Sequence, residues 1–302
     1  MFSDGRLWEE AAEVQEGHPL HRTLVSLVVM KDDDTTALIG TAFIVEARGR
    51  RALAISAAHC FDEIGRLVQG ERRAHPTALT QFLPPVQDVD LDNVRAFYAK
   101  GNNAAFCFVE IAAWDRTSDL AMLEIAAPRG LSGLFKDQLA ITEQVPSLGD
   151  PVVLVGYGEM KITDETEMTP IKGNTNRSQR TFTLNRRLIT RVGTITEVFP
   201  DGQILLRSRC LQTTVPVFFG MSGGLAARWT GEDTQIEPFG FISHAPEPQP
   251  LEDRSRSGDS VISIFDVKVS YEDEYRYRMT LKNIGVGRNS KPPRPGSRLL
   301  GR

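Results

Sequence analysis

Ser222 lies in the stretch Val217-Phe218-Phe219-Gly220-Met221-Ser222-Gly223-Gly224, a serine among glycines directly after an apolar run. Glycines allow a tight turn whose backbone N–H groups converge on one point, and an oxygen gaining negative charge is stabilised by such donors. Serine attacks poorly without a neighbouring base. Taken alone, the octapeptide is equally well a Gly-Ser surface turn. Two other residues supply the missing roles. His59 ends the run Ser56-Ala57-Ala58-His59-Cys60, and Asp119 stands at the mouth of the apolar stretch Leu120 to Ile125. A carboxylate so placed is buried yet able to accept hydrogen bonds, which orienting an imidazole requires. Asp115 competes for that role, and Asp119 is preferred because it abuts the strand directly. The expected roles are therefore nucleophile (Ser222), base (His59) and orienting acid (Asp119), with the N–H groups of Gly220 and Ser222 as oxyanion donors.

Such groups need rigid elements behind them, and the texture of the chain is that of short antiparallel strands. His21 to Met30, Gly40 to Ala47, Arg51 to Ser56, Val94 to Tyr98, Ala104 to Ala112 and Leu120 to Ile125 read as one set. The connections are too short for parallel crossovers. A second set begins near residue 146: Val152 to Gly158, Leu188 to Val198, Gln203 to Arg207, Thr214 to Phe219, Leu225 to Trp229, Phe239 to Ser243 and Val261 to Val269. A hairpin turn is expected at Gly231-Glu232-Asp233. Leu7, Ala11 and Val14 suggest a short amphipathic N-terminal helix within Met1 to Glu16. The polar segment Glu159 to Arg187 reads as a mobile surface loop. Tyr271 to Ile284 reads as a short helix or strand, and the basic, Pro- and Gly-rich tail from Gly285 as disordered.

With 35 basic and 39 acidic residues the net charge is −4, which favours neither nucleic acid nor an anionic membrane as a partner. No stretch reads as a signal peptide or a spanning helix, so a soluble, unexported, cytoplasmic protein is expected. Cys60, Cys107 and Cys210 are odd in number and far apart. They suit buried thiols in a reducing compartment and lack metal-ligand spacing, so neither a metal nor another cofactor is expected.

Gly220 to Gly224 also fits the G-x-S-x-G turn of α/β-hydrolases, but those place acid and histidine after the serine. Here the one histidine after Ser222 is His244, followed by no matching scaffold. The order His59, Asp119, Ser222 resembles instead the chymotrypsin/trypsin-like serine proteases over roughly residues 20 to 270. Gly40-Thr41-Ala42-Phe43-Ile44-Val45 and Leu53 to Cys60 are similar to the strand pair that leads to the family's catalytic histidine. Asp119 to Leu123 is similar to its aspartate motif, Gly156-Tyr157-Gly158 to its Gly-aromatic-Gly, and Gly240 to Ala245 to its substrate-bordering strand. The resemblance implies an all-β fold of two packed six-stranded antiparallel barrels with the site between them. The segments are then 1–20 (helical), 21–130 (first barrel), 131–284 (second barrel) and 285–302 (tail).

Serine endopeptidase action on protein or peptide substrates follows as the expectation, with a pseudoprotease or peptide-binding scaffold, or an esterase, as the alternatives. Met221 replaces the aspartate of members activated by cleavage, and the chain starts without their apolar-Gly-Gly sequence, so no cleavage activation is expected. No cysteine stands near Gly40 to pair with Cys60, which looks more like the intracellular bacterial branch. A regulatory partner that orders the 159–187 loop is one way to control such a site. By the resemblance, the specificity pocket takes its floor from Pro216 and its wall from Ser243, His244 and Ala245. A floor without an acid disfavours a basic P1 side chain and suits a small uncharged one first, an acidic one second. Asp259 is the residue that would change that expectation.

Overall fold

The computed structural model describes residues 4–11, 14, 18–31, 35–62, 64–68, 91–100, 103–115, 117–170, 178–204, 206–229, 236–244, 253–265, 270–272 and 278–280. A two-residue strand, β1 (Glu9–Glu10), is followed by β2 (Leu24–Met30), β3 (Thr36–Arg48), β4 (Arg51–Ala57), a short helix α1 (Ile64–Val68), β5 (Val94–Lys100), β6 (Asn103–Asp115) and β7 (Leu120–Ala126). Strand β2, for example, is apolar and β-branched, and its Leu24, Val25, Leu27, Val28 and Val29 are all buried because the strand is covered on both faces. Strands β2 to β7 close into a barrel in the order β2-β3-β4-β7-β6-β5, every pairing antiparallel.

The second half repeats this winding. It comprises β8 (Pro151–Pro170), β9 (Ser178–Phe199), β10 (Cys210–Thr213), β11 (Leu225–Arg228), β12 (Pro238–His244) and β13 (Ser260–Ile264). The ring runs β8-β9-β10-β13-β12-β11 and closes through the β11–β8 pairing. Each barrel thus visits its strands in the order first, second, third, sixth, fifth, fourth. A hairpin of β14 (Ser270–Glu272) and β15 (Arg278–Thr280) follows. Closure leaves neither barrel with an open sheet edge, which is how small antiparallel sheets avoid unpaired backbone. The molecule is therefore two six-stranded antiparallel barrels with almost no helix, the architecture that the motifs imply.

One apolar cluster fills the first barrel and continues across the interface into Val153, Val155, Tyr157, Leu225 and Phe241 of the second. Phe265 stacks on Phe241 at 6.0 Å and meets Phe43 of the first barrel at 6.1 Å, joining the two cores. Each fully buried side chain of this size contributes about 1.5–3 kcal/mol. No helix among the described residues is long and apolar enough to cross a membrane.

Several segments differ from the sequence reading. The backbone of Glu159 to Pro170 and of Ser178 to Arg187 is not loop: β8 and β9 run on as a paired ribbon, from Glu159↔Arg187 to Pro170↔Ser178. No helix forms at the N-terminus among the described residues. Glu9 and Glu10 pair with Val192 and Arg191 of β9, and the first helical turn is the 3-10 segment Pro19–Arg22. Thr214 to Phe219 is irregular, buried from Thr214 to Val217 with Phe218 half-buried and Phe219 exposed, because Pro216 has no N–H to continue a ladder. Its polar groups bond elsewhere: the Thr214 N–H donates to Thr194 O at 3.0 Å and the Val215 N–H to Thr213 Oγ1 at 3.0 Å. Gln203 to Arg207 is likewise not a strand. The 231–233 turn and the tail from residue 285 lie outside the described residues.

All three cysteines are buried. Burial pushes the Cys107 thiol up to about 12 and Cys210 to about 11. Reaction with iodoacetamide proceeds through the thiolate, so at pH 8 both alkylate at least roughly 100-fold more slowly in the native protein than in urea. Peptide mass spectrometry after timed quenching checks this; equal rates in the two conditions would contradict the burial.

Candidate active site

His59 is held at the first barrel's rim by the chain leaving β4. A 3-10 turn, Ala58–Phe61, starts directly after that strand and places His59 in its first half. Its two ends are tied: the Ala58 N–H donates to Asp119 O at 2.7 Å and the Asp62 N–H to His59 O at 3.1 Å. Asp119 sits in the tight turn between β6 and β7 with φ of +56°, a left-handed backbone conformation uncommon outside glycine. Asp115 caps that turn by accepting from the Thr117 N–H at 2.9 Å and the Ser118 hydroxyl at 2.7 Å. It therefore organises the turn, and Asp119 is the carboxylate that meets His59.

Asp119 accepts three hydrogen bonds from two barrels. The His59 N–H donates to Oδ1 at 2.9 Å and His59 Nδ1 to Oδ2 at 2.8 Å. The Ser243 hydroxyl, from the end of β12 in the second barrel, donates to Oδ2 at 2.5 Å. Burial alone pushes the Asp119 pKa up and is the largest single influence. The charge and hydrogen bond of His59, then His244 and the Ser243 hydroxyl, together outweigh it and hold the carboxyl below its ordinary value. An ionised Asp119 only accepts, which fixes two tautomers. His59 must carry its proton on Nδ1, leaving Nε2 as the basic nitrogen. Ser243 gives its only proton to Asp119, so its oxygen accepts from His244 Nδ1, 3.1 Å away.

The His59 and His244 rings meet edge to face, with centroids 5.3 Å apart. Ligand-capable atoms of His59, Asp119 and His244 lie within 4.8 Å of one another. With both carboxylate oxygens already taken by donors, the cluster has the form of a hydrogen-bonded relay.

Ser222 follows the irregular segment and is half-buried. Its loop is clamped against the first barrel beside His59: the Thr41 N–H donates to Ser222 O at 2.8 Å, and Cys60 Sγ lies 3.7 Å from the same oxygen. Gly40 lies against Cys60, and a Cβ there would come within 2.5 Å of Sγ. Gly220 has φ of +93°, and a Cβ there would come within 2.3 Å of Leu38 and 2.7 Å of Tyr157 O. Within this loop the Met221, Gly223 and Gly224 N–H groups donate to Phe218 O, Ile242 O and Met221 O. Those of Gly220 and Ser222 donate to no acceptor among the described residues. Met221 is fully buried in the second barrel's core and Gly156 packs against its backbone, so an apolar anchor fixes the residue before the nucleophile candidate.

The expected pocket residues divide. Pro216 is buried, Gly258 packs on its backbone, and its carbonyl accepts from Arg191 Nη1 at 2.8 Å. The Ser243 hydroxyl faces Asp119, and His244 lies within hydrogen-bond distance of it. Ala245 lies outside the described residues. Asp259 is engaged by Ser257 at 2.6 Å and Gln212 at 3.1 Å.

Arg191 and the N-terminal segment had no place in the sequence reading of the site. Arg191, 3% exposed, lies over the Phe218 ring at 4.1 Å and the Trp8 ring at 4.6 Å, with Glu10 at 3.4 Å. Leu7 O accepts from Thr214 Oγ1 at 2.7 Å. Residues 7–10 thus brace the chain leading to Ser222 from behind. Trp8 and Glu10 were visible as an aromatic and an acid in an amphipathic stretch, but nothing in the sequence pointed them at Arg191.

No family model matches this sequence, and no curated protein does. Among solved structures the chain is similar to the Rv3671c protease from M. tuberculosis in its active form, with 17% identity over 81% of this chain and 77% of that one and a TM-score of 0.41. It is also similar to the protease Anisep from Arthrobacter nicotinovorans, with 11% identity, 85% and 93% coverage and a TM-score of 0.47. At these values the likeness carries no argument about activity, and the two-barrel architecture rests on the strand connectivity itself.

Proposed function

We propose that the chain is a serine endopeptidase that cleaves protein or peptide substrates through an acyl-enzyme. The observation that carries the reading is the fully bonded, ionised Asp119 oriented on His59 Nδ1, with the Ser222 loop clamped beside it and two N–H groups that find no acceptor among the described residues. Ser222 Oγ attacks the scissile carbonyl while His59 Nε2 takes its proton, and His59 then returns that proton to the leaving amine. Asp119 stabilises the imidazolium, and the Gly220 and Ser222 N–H groups bind the oxyanion. Water repeats the sequence to release the acid product. The buried thiols suit a reducing, cytoplasmic setting.

The pocket floor at Pro216 offers no acid, and the Arg191 guanidinium bonded to its carbonyl places positive charge behind it. A Lys or Arg side chain entering there meets no counter-charge, so an uncharged or acidic P1 is favoured over a basic one.

A fluorophosphonate probe is expected to label wild type on Ser222 and to leave Ser222→Ala unlabelled, and a peptide library is expected to show cleavage with few basic P1 residues. A folded wild type that binds peptides yet neither labels nor cleaves would establish the scaffold alternative instead. Cleavage of esters without peptides would establish the esterase.

A further inference from the structure

We infer that Thr41, a first-barrel residue, is the positioning residue for the oxyanion donors, acting through its side-chain hydroxyl. The inference rests on the reading of Ser222 as nucleophile. Thr41 is fully buried on β3, and every polar atom it has is used across the barrel boundary or beside it. Its N–H holds Ser222 O at 2.8 Å, and its carbonyl accepts from the Ser56 hydroxyl at 2.7 Å. Its Oγ1 lies 2.8 Å from Tyr157 N and 2.8 Å from Gly220 O.

The direction of these last two bonds is forced. An amide N–H can only donate, so Oγ1 accepts from Tyr157 and spends its single proton on the Gly220 carbonyl. Thr41 therefore holds both carbonyls that flank Met221, those of Gly220 and Ser222. With these carbonyls fixed, the turn from Phe218 to Met221 and the positive φ of Gly220 leave the Gly220 and Ser222 N–H groups without an acceptor among the described residues. A valine at this position has nearly the same shape but no hydroxyl. It strands a buried donor on Tyr157 and a buried acceptor on Gly220, and the Gly220–Met221 peptide is free to turn.

The test compares Thr41→Val with Thr41→Ser. The valine variant is expected to lose roughly 10- to 100-fold in kcat, the scale on which outer-shell partners act, with KM nearly unchanged. Its affinity for a peptide aldehyde, whose adduct carries the oxyanion, falls by a similar factor, whereas binding of a product peptide does not. Thr41→Ser restores kcat and aldehyde affinity. A residue that only supported the fold would lower the unfolding temperature without separating aldehyde from product affinity.

Unchanged kcat in folded Thr41→Val, or equal losses of aldehyde and product binding, would overturn the inference. If Thr41→Val does not fold, Thr41→Ala, which leaves room for a bridging water, is expected to show a smaller loss of the same kind. Labelling of wild type against Ser222→Ala reports separately on the catalytic reading. Should wild type prove unreactive, amide exchange decides: the Tyr157 and Met221 amides exchange faster in the valine variant than in the serine variant, and equal rates would overturn the inference.

Discussion

Asp119→Asn is expected to lower kcat by about 10⁴ while the fold survives. Asparagine tolerates the left-handed backbone that Asp119 adopts at φ +56°, so the turn is kept. The loss comes from the hydrogen-bond inventory. Three donors converge on the two Asp119 oxygens, and an amide offers one oxygen and a donor NH₂ in their place. Whichever way the amide turns, it confronts a donor with a donor. Relief comes when His59 moves its proton to Nε2, which removes the base. The same carboxylate contributes to stability, and its sign follows from its lowered folded-state pKa. That contribution is present above the unfolded pKa of about 3.9 and is lost as pH falls through the lower folded value. Wild type therefore loses stability as pH falls below about 4 with a slope that Asp119→Asn lacks. Hydrolysis kinetics beside urea unfolding at several acidic pH values check both halves. An Asn variant with kcat within tenfold of wild type would remove Asp119 from the orienting role.

Gly223→Ala is expected to remove activity and to destabilise the protein. Gly223 has φ of +77°, and a Cβ there would stand 2.2 Å from Ser56 Oγ, 2.3 Å from Thr41 O and 2.7 Å from Ala57 N. Two of those atoms are backbone of β3 and β4, which cannot retreat without opening the barrel that carries His59. Overpacking of this kind costs about 1–3 kcal/mol, and the left-handed conformation adds about 1–2 kcal/mol for a residue with a Cβ. Gly149→Ala separates the two effects, because its φ is +82° with open space where the methyl would go. Denaturant titration should show the Gly149 variant losing about 1–2 kcal/mol with labelling of Ser222 intact. The Gly223 variant should lose more, together with labelling. Equal stability losses in the two would mean that the contact with the first barrel is not what Gly223 provides.

Both experiments probe a seam that the sequence outlined only in part. Strand runs such as Leu24 to Met30 and Leu120 to Ala126 were legible because their apolar residues are contiguous and end at turn residues. His59, Asp119 and Ser222 stood out because each is a chemically competent residue beside an apolar run. Their order, with the motifs around them, resembles the chymotrypsin-type pattern, and it was that resemblance that implied a two-barrel architecture. Asp119 over Asp115 was also readable, since adjacency to β7 is a local property.

What the tertiary structure decided depends on residues distant in the chain. Ser243 and Asp119 are 124 positions apart, and Thr41 and Gly220 are 179 apart. No periodicity records which hydroxyl will meet which carboxylate or carbonyl. Ser243 therefore read as a pocket wall, and Thr41 as one more β-branched strand residue. Local patterns also misplaced the N-terminal segment: Leu7, Ala11 and Val14 have helical spacing, yet the edge of β9 and the buried guanidinium of Arg191 offer Glu9, Glu10 and Trp8 more than an isolated helix would. A short helix gains little on its own in water, so the partner across the sheet decides the conformation. Thr214 to Phe219 failed as a strand for the complementary reason. Its apolar run suited a strand, but apolarity fixes only the environment of a segment, and the hydrogen-bond partners left to Thr214, Val215 and Pro216 by the closed barrel fix its shape.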